Sequence, residues 1–325
     1  MVGRAVVRNA FSVSSRSKFI KRDKEGVAST VGTIMALLVF LTLITLFTNT
    51  YIPIWMKENE KNHMDEVLNQ FGDLKGKVDS LIVNAQVTGR PTINMYQPMT
   101  MGSDGIPIFA TATAGFLFLK PGGPLDKVES GVKVDFYYKL TEGGNKLPFT
   151  DAGGGGSLEF YGPNRYYVQQ WYTYENGALL IYQEDGMALR ASPSLVFSMS
   201  GNSIDVQFDQ IDIIGTNSSI GGQGSGGVII DLIYHDSQDY SICGSDGKDD
   251  GTLTLTFKTR YDTVWMNVIE EAAGAAGMEK DRHYTLECSV PLTDEYRPLY
   301  RITLTVNTVD QFTYNRGYVT MELEY

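Results

Sequence analysis

From Val27 to Thr48 the chain reads "VASTVGTIMALLVFLTLITLFT", 22 residues without a charge, and the next charged residue is Lys57. No other feature restricts the fold as strongly. A bilayer's hydrocarbon core, about 30 Å thick, is crossed by ~20 apolar residues in a helix, and this run is long enough. Thr30, Thr33, Thr42, Thr45 and Thr48 interrupt it only mildly, because a threonine hydroxyl can bond back to its own helix carbonyls. Gly32 and Ala36 form a small-xxx-small pair suited to helix–helix contact.

The flanking charge gives the run a direction. Residues 1–26 hold seven basic residues (Arg4, Arg8, Arg16, Lys18, Lys21, Arg22, Lys24) against Asp23 and Glu25, a net +5, so the remainder carries -16 of the total -11. Basic residues stay on the cytoplasmic side of a span. The N-terminus is therefore expected in the cytoplasm, and everything beyond about residue 50 outside the cell. A secretory signal peptide has an apolar region of about 7–15 residues and a small-x-small cleavage site. This run is longer and ends in "FTNTYIPIWM", so retention in the membrane is expected. The acidic remainder repels phosphate backbones and argues against nucleic-acid binding.

Pro53 should kink or interrupt the helix. Beyond it, Met64, Val67, Phe71, Leu74, Val78 and Leu81 recur at alternating steps of three and four, widened by Leu68 and Ile82, with charges between. This is an amphipathic helix with a heptad-like seam. Two coverings are open: the chain's own β region, or neighbouring copies.

After Ala85 the helical period ends, and short Val-, Ile-, Phe- and Tyr-rich runs alternate with Gly, Asn, Asp and Pro, the pattern of antiparallel sandwiches. One helix is expected within "RYDTVWMNVIEEAAGAAGM", capped by Asp262 and ended by Gly277. The fold class is therefore α+β: a long N-terminal transmembrane and amphipathic helix, mainly antiparallel β-sandwich regions, and one short helix. The segments are a basic cytoplasmic leader (1–26), a membrane and stalk helix (27–85), a first β domain (86–214), a Gly-rich linker or loop (215–227) and a second β domain (228–325). "DAGGGGS" (151–157) and "GTNSSIGGQGSGG" (215–227) punctuate the β region.

Chemistry-bearing motifs are sparse. "GQGSGG" (222–227) matches G-x-G-x-x-G but leads into a strand, whereas a dinucleotide site needs a helix there. The histidines, His63, His235 and His283, form no ligand-spaced pair, and no nucleophile–base motif is visible, so a non-enzymatic role is expected. Asp236, Asp239, Asp246, Asp249 and Asp250 lie within fifteen residues. Such a cluster could hold Ca2+, although the spacing departs from the EF-hand template and a solvated loop is the simpler reading. Otherwise no cofactor is expected. Cys243 and Cys288 are disulfide candidates if exported, and Asn217-Ser218-Ser219 is a glycosylation acceptor pattern. The segment 164–182 contains Tyr166, Val168, Gln170, Tyr172 and Tyr174 at alternate positions. Core packing is the expected use, and an exposed ladder for carbohydrate or subunit contact is the other.

The basic leader, "KEGVASTVGTIMALLVF" and the amphipathic continuation together resemble archaeal type IV pilin-like proteins with a class III signal peptide. "GGGGSLEFYGPNRYYVQQWYTYENGALLIYQEDG" is also similar to segments of archaeal membrane-anchored proteins carrying this N-terminus. The resemblance implies cutting by a prepilin peptidase near Gly26-Val27, which removes the basic leader. It also implies self-association, or association with other pilin-like subunits, through the freed helix in a surface filament. Bacterial pilins place a glutamate at the fifth mature position; here Val31 occupies it. The size of the β region suits a minor pilin, pseudopilin or adhesin. The alternative is an uncleaved single-pass ectodomain that binds glycans or partner proteins.

Overall fold

The computed structural model describes residues 17–89, 94–139, 146–151, 153–242 and 251–325, with side chains from Val27 onward. The fold is α+β: one long N-terminal helix, three mostly antiparallel sheets and one short helix. Helix α1 (Ser17–Thr88) is assigned without a break through Pro53. The chain divides between Trp55 and Met56 into two units, each described by itself below.

In the second unit the helical seam finds its cover within the chain. Met64, Val67, Phe71, Leu74, Val78 and Leu81 have no exposed surface and join one hydrophobic core with residues of the β body. At roughly 25 cal/mol per Å² of buried apolar area, side chains of this size each contribute about 1.5–3 kcal/mol. The covering is therefore the chain's own strands.

The strands follow in order. β1 (Met95–Thr100) and β2 (Gly115–Pro124) lead to the hairpin β3 (Gly131–Lys139) and β4 (Lys146–Asp151). A meander comes next: β5 (Gly153–Gly162), β6 (Gln170–Glu175), β7 (Ala178–Gln183) and β8 (Gly186–Ala191). β9 (Leu195–Ser200), β10 (Ser203–Ile214), β11 (Ser218–Gly222) and β12 (Ser225–Ser241) precede β13 (Leu253–Thr259) and helix α2 (Asp262–Ala275). β14 (Tyr284–Cys288), β15 (Tyr300–Val306) and β16 (Val309–Glu324) complete the order. The sheets run β1-β12-β16-β10-β9, β11-β2-β5-β6-β7-β8 and β14-β15-β13-β3-β4. Every strand pair is antiparallel except β10 with β16.

This topology departs from a division into β domains 86–214 and 228–325. Each sheet draws strands from both sides of residue 215, and residues from Met56 onward form one unit. The reason is the length of the central strands. Val206 and Phe208 of β10 enter a core with β13, β15 and α2, whereas Ile211 and Ile213 of the same strand enter the core with α1. β16 does likewise through Phe312 and Val319. The expected linker 215–227 is largely strand: β11, then the start of β12.

Of the other Gly-rich stretch, Asp151 ends β4 and residues 153–157 begin β5. Gly155 has φ +86, and a Cβ there would lie 2.5 Å from the Gly131 Cα. The glycines let two backbones approach where no side chain fits. At α2 the expected Asp262 cap is replaced by Tyr261 at the N-cap, with no side-chain capping bond. Gly277, at φ +76, stands just past the helix, as its freedom for a left-handed stop requires.

Candidate functional site

In the first unit, the apolar run of α1 is left uncovered by the described residues. Its threonines are satisfied internally. Thr33 Oγ1 donates to the Thr30 carbonyl at 2.8 Å, Thr42 to Val39 at 2.8 Å, Thr45 to Leu41 at 2.7 Å and Thr48 to Ile44 at 3.0 Å. The helix thus presents almost pure hydrocarbon, with Phe40 58% exposed. Tyr51 and Trp55 pack tilted and edge-on with Phe47 and with each other at its C-terminal end, with ring centroids 5.6–6.2 Å apart. Amphipathic rings of this kind are at home at a lipid–water boundary. The Gly26-Val27 junction lies inside α1.

In the second unit, a cleft of about 260 Å³ opens between the C-terminal half of α1 and the strand ends. Lys75 and Asp79 line one wall as an ion pair at 3.0 Å, and Gln86 Nε2 lies 3.2 Å from His235 Nε2. Across from them, Asn315 Nδ2 donates to Asp209 Oδ1 at 2.6 Å. Burial holds the His235 imidazole below its usual 6.5, against the opposing pull of Asp209 and Asp236, so it is neutral at pH 7. The back of the cleft is the turn Asn176-Gly177 between β6 and β7, with φ +45 and +76. Asn-Gly is the preferred pair for such a two-residue hairpin. Asn176 Oδ1 accepts the Ile211 amide at 3.0 Å, and its Nδ2 is buried without a partner among the described residues. The open face of the cleft is lined by His235 and by paired polar groups, a setting for a polar ligand.

A second polar cluster is interior. Glu175 Oε1 accepts from Thr259 Oγ1 at 2.5 Å and from Trp265 Nε1 at 2.6 Å. Arg297 donates to Tyr261 Oη at 2.8 Å and to Glu159 Oε2 at 3.2 Å, with its guanidinium 4.3 Å over the Trp171 ring. Burial pushes the Glu175 carboxyl up, against the two bonds it accepts. The adjoining cavity is about 10 Å³, barely one water. These groups tie α2, the meander and the third sheet together, and the site has no room for a substrate.

A third arrangement fastens the helix to the body. Glu60, fully buried, accepts from Thr113 Oγ1 (2.7 Å) and from the amides of Arg165 (3.0 Å), Tyr166 and Tyr167 (both 2.7 Å). Sequence reading passes over Glu60 as one charge among many. The available signal is its position: it lies four residues before Met64, on the seam.

The remaining sequence candidates are dispersed. His63 Nε2 lies 2.9 Å from the Thr100 carbonyl and His283 Nδ1 accepts the Glu279 amide at 2.8 Å, so both serve packing. Asp236 accepts from Gln238 and Asp239 from Thr313, while Asp246, Asp249 and Asp250 lie outside the described residues. Among the described residues no three His, Cys, Asp or Glu side chains converge on a point. Cys288 Sγ donates to the Ser289 carbonyl, and its candidate disulfide partner Cys243 lies outside the described residues. Asn217 is exposed in the turn between β10 and β11. In the aromatic segment Tyr172 and Tyr174 are core, Gln170 is buried, and Tyr166 and Val168 are exposed. Compared with protein-family models, with curated proteins and with solved structures, the chain matches none of them.

Proposed function

We propose that this chain is a non-enzymatic, pilin-like subunit of an archaeal cell surface, anchored and assembled through its N-terminal helix. In this reading residues 1–26 are a class III leader in the cytoplasm, a prepilin peptidase cuts near Gly26-Val27, and the β body lies outside the cell. One observation supports it above the others: an apolar run of membrane length with no cover among the described residues, its threonine hydroxyls turned back onto their own carbonyls. Such a surface requires hydrocarbon or other helices around it. The stalk seam, by contrast, is already spent on the β body, which leaves the N-terminal run as the assembly element. Mass spectrometry of the native N-terminus tests this. A chain beginning near Val27 supports assembly, and Gly26→Trp should then abolish the mobility change that processing produces.

A second reading is favoured by the cleft itself. An open cleft lined by Gln86, His235 and paired polar groups suits an anchored ectodomain that holds a glycan or partner group. An intact Met1 terminus together with saturable glycan binding that is lost in His235→Ala would favour it.

A further inference from the structure

The chain from Tyr96 to Asp104 runs down α1 toward the residue-56 end of the second unit. Lys77 Nζ donates to the Tyr96 carbonyl at 2.7 Å, Gln70 Oε1 accepts the Thr100 amide at 2.9 Å, and Asn59 Nδ2 donates to the Asp104 carbonyl at 3.1 Å. Eighteen helical residues and eight extended ones both span roughly 27 Å, so the two segments lie antiparallel along their length. The return limb is pinned at the same level, where Thr113 donates to Glu60 and Ser103 pairs with Thr113. Between these anchors the hairpin closes through the Ile106–Ala110 bridge. Its tip therefore projects past Asn59, toward the Met56 end of the unit.

That tip is Pro107-Ile108-Phe109. Ile108 is fully exposed and Phe109 about half exposed. Ile108 also sits at φ +72, a conformation that a β-branched residue rarely adopts. A strained, fully exposed isoleucine gains nothing from water. Beside the tip, the segment clamped by Glu60 presents exposed Arg165 and Tyr166, with Arg165 Nη1 bonded to Thr111 Oγ1 at 3.2 Å. An aliphatic wedge flanked by one tyrosine and one arginine is the composition of an interfacial anchor. The neighbouring charge is mixed, with exposed Asp104 at the base of the hairpin, so attraction to anionic lipid is not what holds it.

We infer that the 105–110 hairpin tip inserts Ile108 into the lipid–water interface of the membrane that the N-terminal helix crosses, making a second, shallow foothold for the β body. This rests on the membrane reading of residues 27–48. The full chain, with Cys243→Ser and Cys288→Ser, is labelled with an environment-sensitive fluorophore at Ile108→Cys and reconstituted in phosphatidylcholine vesicles. Labels at Leu38→Cys and Ile233→Cys serve as references. Ile233 is exposed on β12, two residues from the His235 that meets Gln86, and so lies roughly 40 Å farther along α1 than Asn59.

The expected result is blue-shifted emission at 108 that shallow brominated lipid quenches severalfold, deep quenching at 38 and none at 233. A water-like, unquenched label at 108 with normal quenching at 38 overturns the inference and leaves the membrane reading intact. Loss of quenching at 38 as well overturns both. If the cysteine-free protein does not fold, a photo-crosslinking amino acid placed at position 108 of the otherwise native chain replaces the label. Adducts of lipid mass support insertion, and adducts only with a second copy of the chain overturn it.

Discussion

Replacing Glu60 with alanine should detach the 163–168 segment from the helix. The carboxylate accepts four hydrogen bonds and has no exposed surface. Truncation orphans three backbone amides and one hydroxyl, and each buried unsatisfied group costs about 1–3 kcal/mol. The Arg165 and Tyr166 side chains are exposed, so the segment can partly swing out to water, which brings the expected loss below the simple sum of about 4–12 kcal/mol, to about 3–5 kcal/mol. Glu60→Gln separates charge from shape. Its amide can turn the oxygen toward the Tyr166 and Tyr167 amides and let the Thr113 hydroxyl accept, leaving only the Arg165 amide unpaired, a loss of about 1–2 kcal/mol. Guanidinium unfolding of the full chain in detergent, followed by tryptophan emission, reads both values. Hydrogen exchange should show the three amides opening roughly 100-fold more often in Glu60→Ala, at 1.4 kcal/mol per tenfold. An alanine variant within about 0.5 kcal/mol of wild type, or a glutamine variant as damaging as alanine, would refute the reasoning.

Two glycines should respond in opposite directions. Gly155→Ala meets backbone at 2.5 Å from a left-handed φ and should lower stability by at least ~3 kcal/mol or prevent folding. Gly76→Ala, on α1 with nothing within 4 Å, should raise stability by up to about 1 kcal/mol, as shown by shifted denaturation midpoints. Two buried groups should impose opposite pH trends. Glu175 is held above its ordinary 4.5 by burial, so its contribution is full below that pH and lost as pH rises through the folded value; Glu175→Gln should flatten the pH dependence of stability above pH 4.5. His63 is held below 6.5 by burial, so its contribution is full above 6.5 and lost as pH falls through the folded value. His63→Gln should therefore soften the decline in stability between pH 7 and 5.

The parts of this fold that obey a local period are legible in the sequence. The seam from Met64 to Leu81 is visible in its three-four spacing, and every one of its members is fully buried. Its cover is not legible, because a helical stripe has the same form whether strands or a second helix lies against it. The glycine runs mislead for a related reason. Glycine marks turns and close backbone approach alike, and at Gly155 only the distant Gly131 reveals which applies. The expected boundary near residue 215 fails because turn signals report neighbours in sequence, whereas β10, β12 and β16 extend across two cores. Of the polar arrangements, Glu60 is recoverable as a charge on the seam. The Asn176 turn shows in its Asn-Gly pair, but the cleft around it depends on Asp209, His235 and Asn315, residues that pair only through the sheet.

The parallel pairing of β10 with β16 has a consequence for how the protein is made. β16 lies between β12 and β10 yet follows every other described strand, so a gap persists in the middle of the first sheet until residues 309–324 leave the ribosome. Until then the apolar row on α1 lacks Val319 and Met321 as neighbours, and β10 has only β9 beside it in that sheet. Maturation must therefore be late and abrupt rather than progressive. In a membrane-free translation system, nascent chains stalled before residue 309 should bind added holdase chaperones through the β body, whereas chains stalled with residue 325 outside the exit tunnel should bind them less.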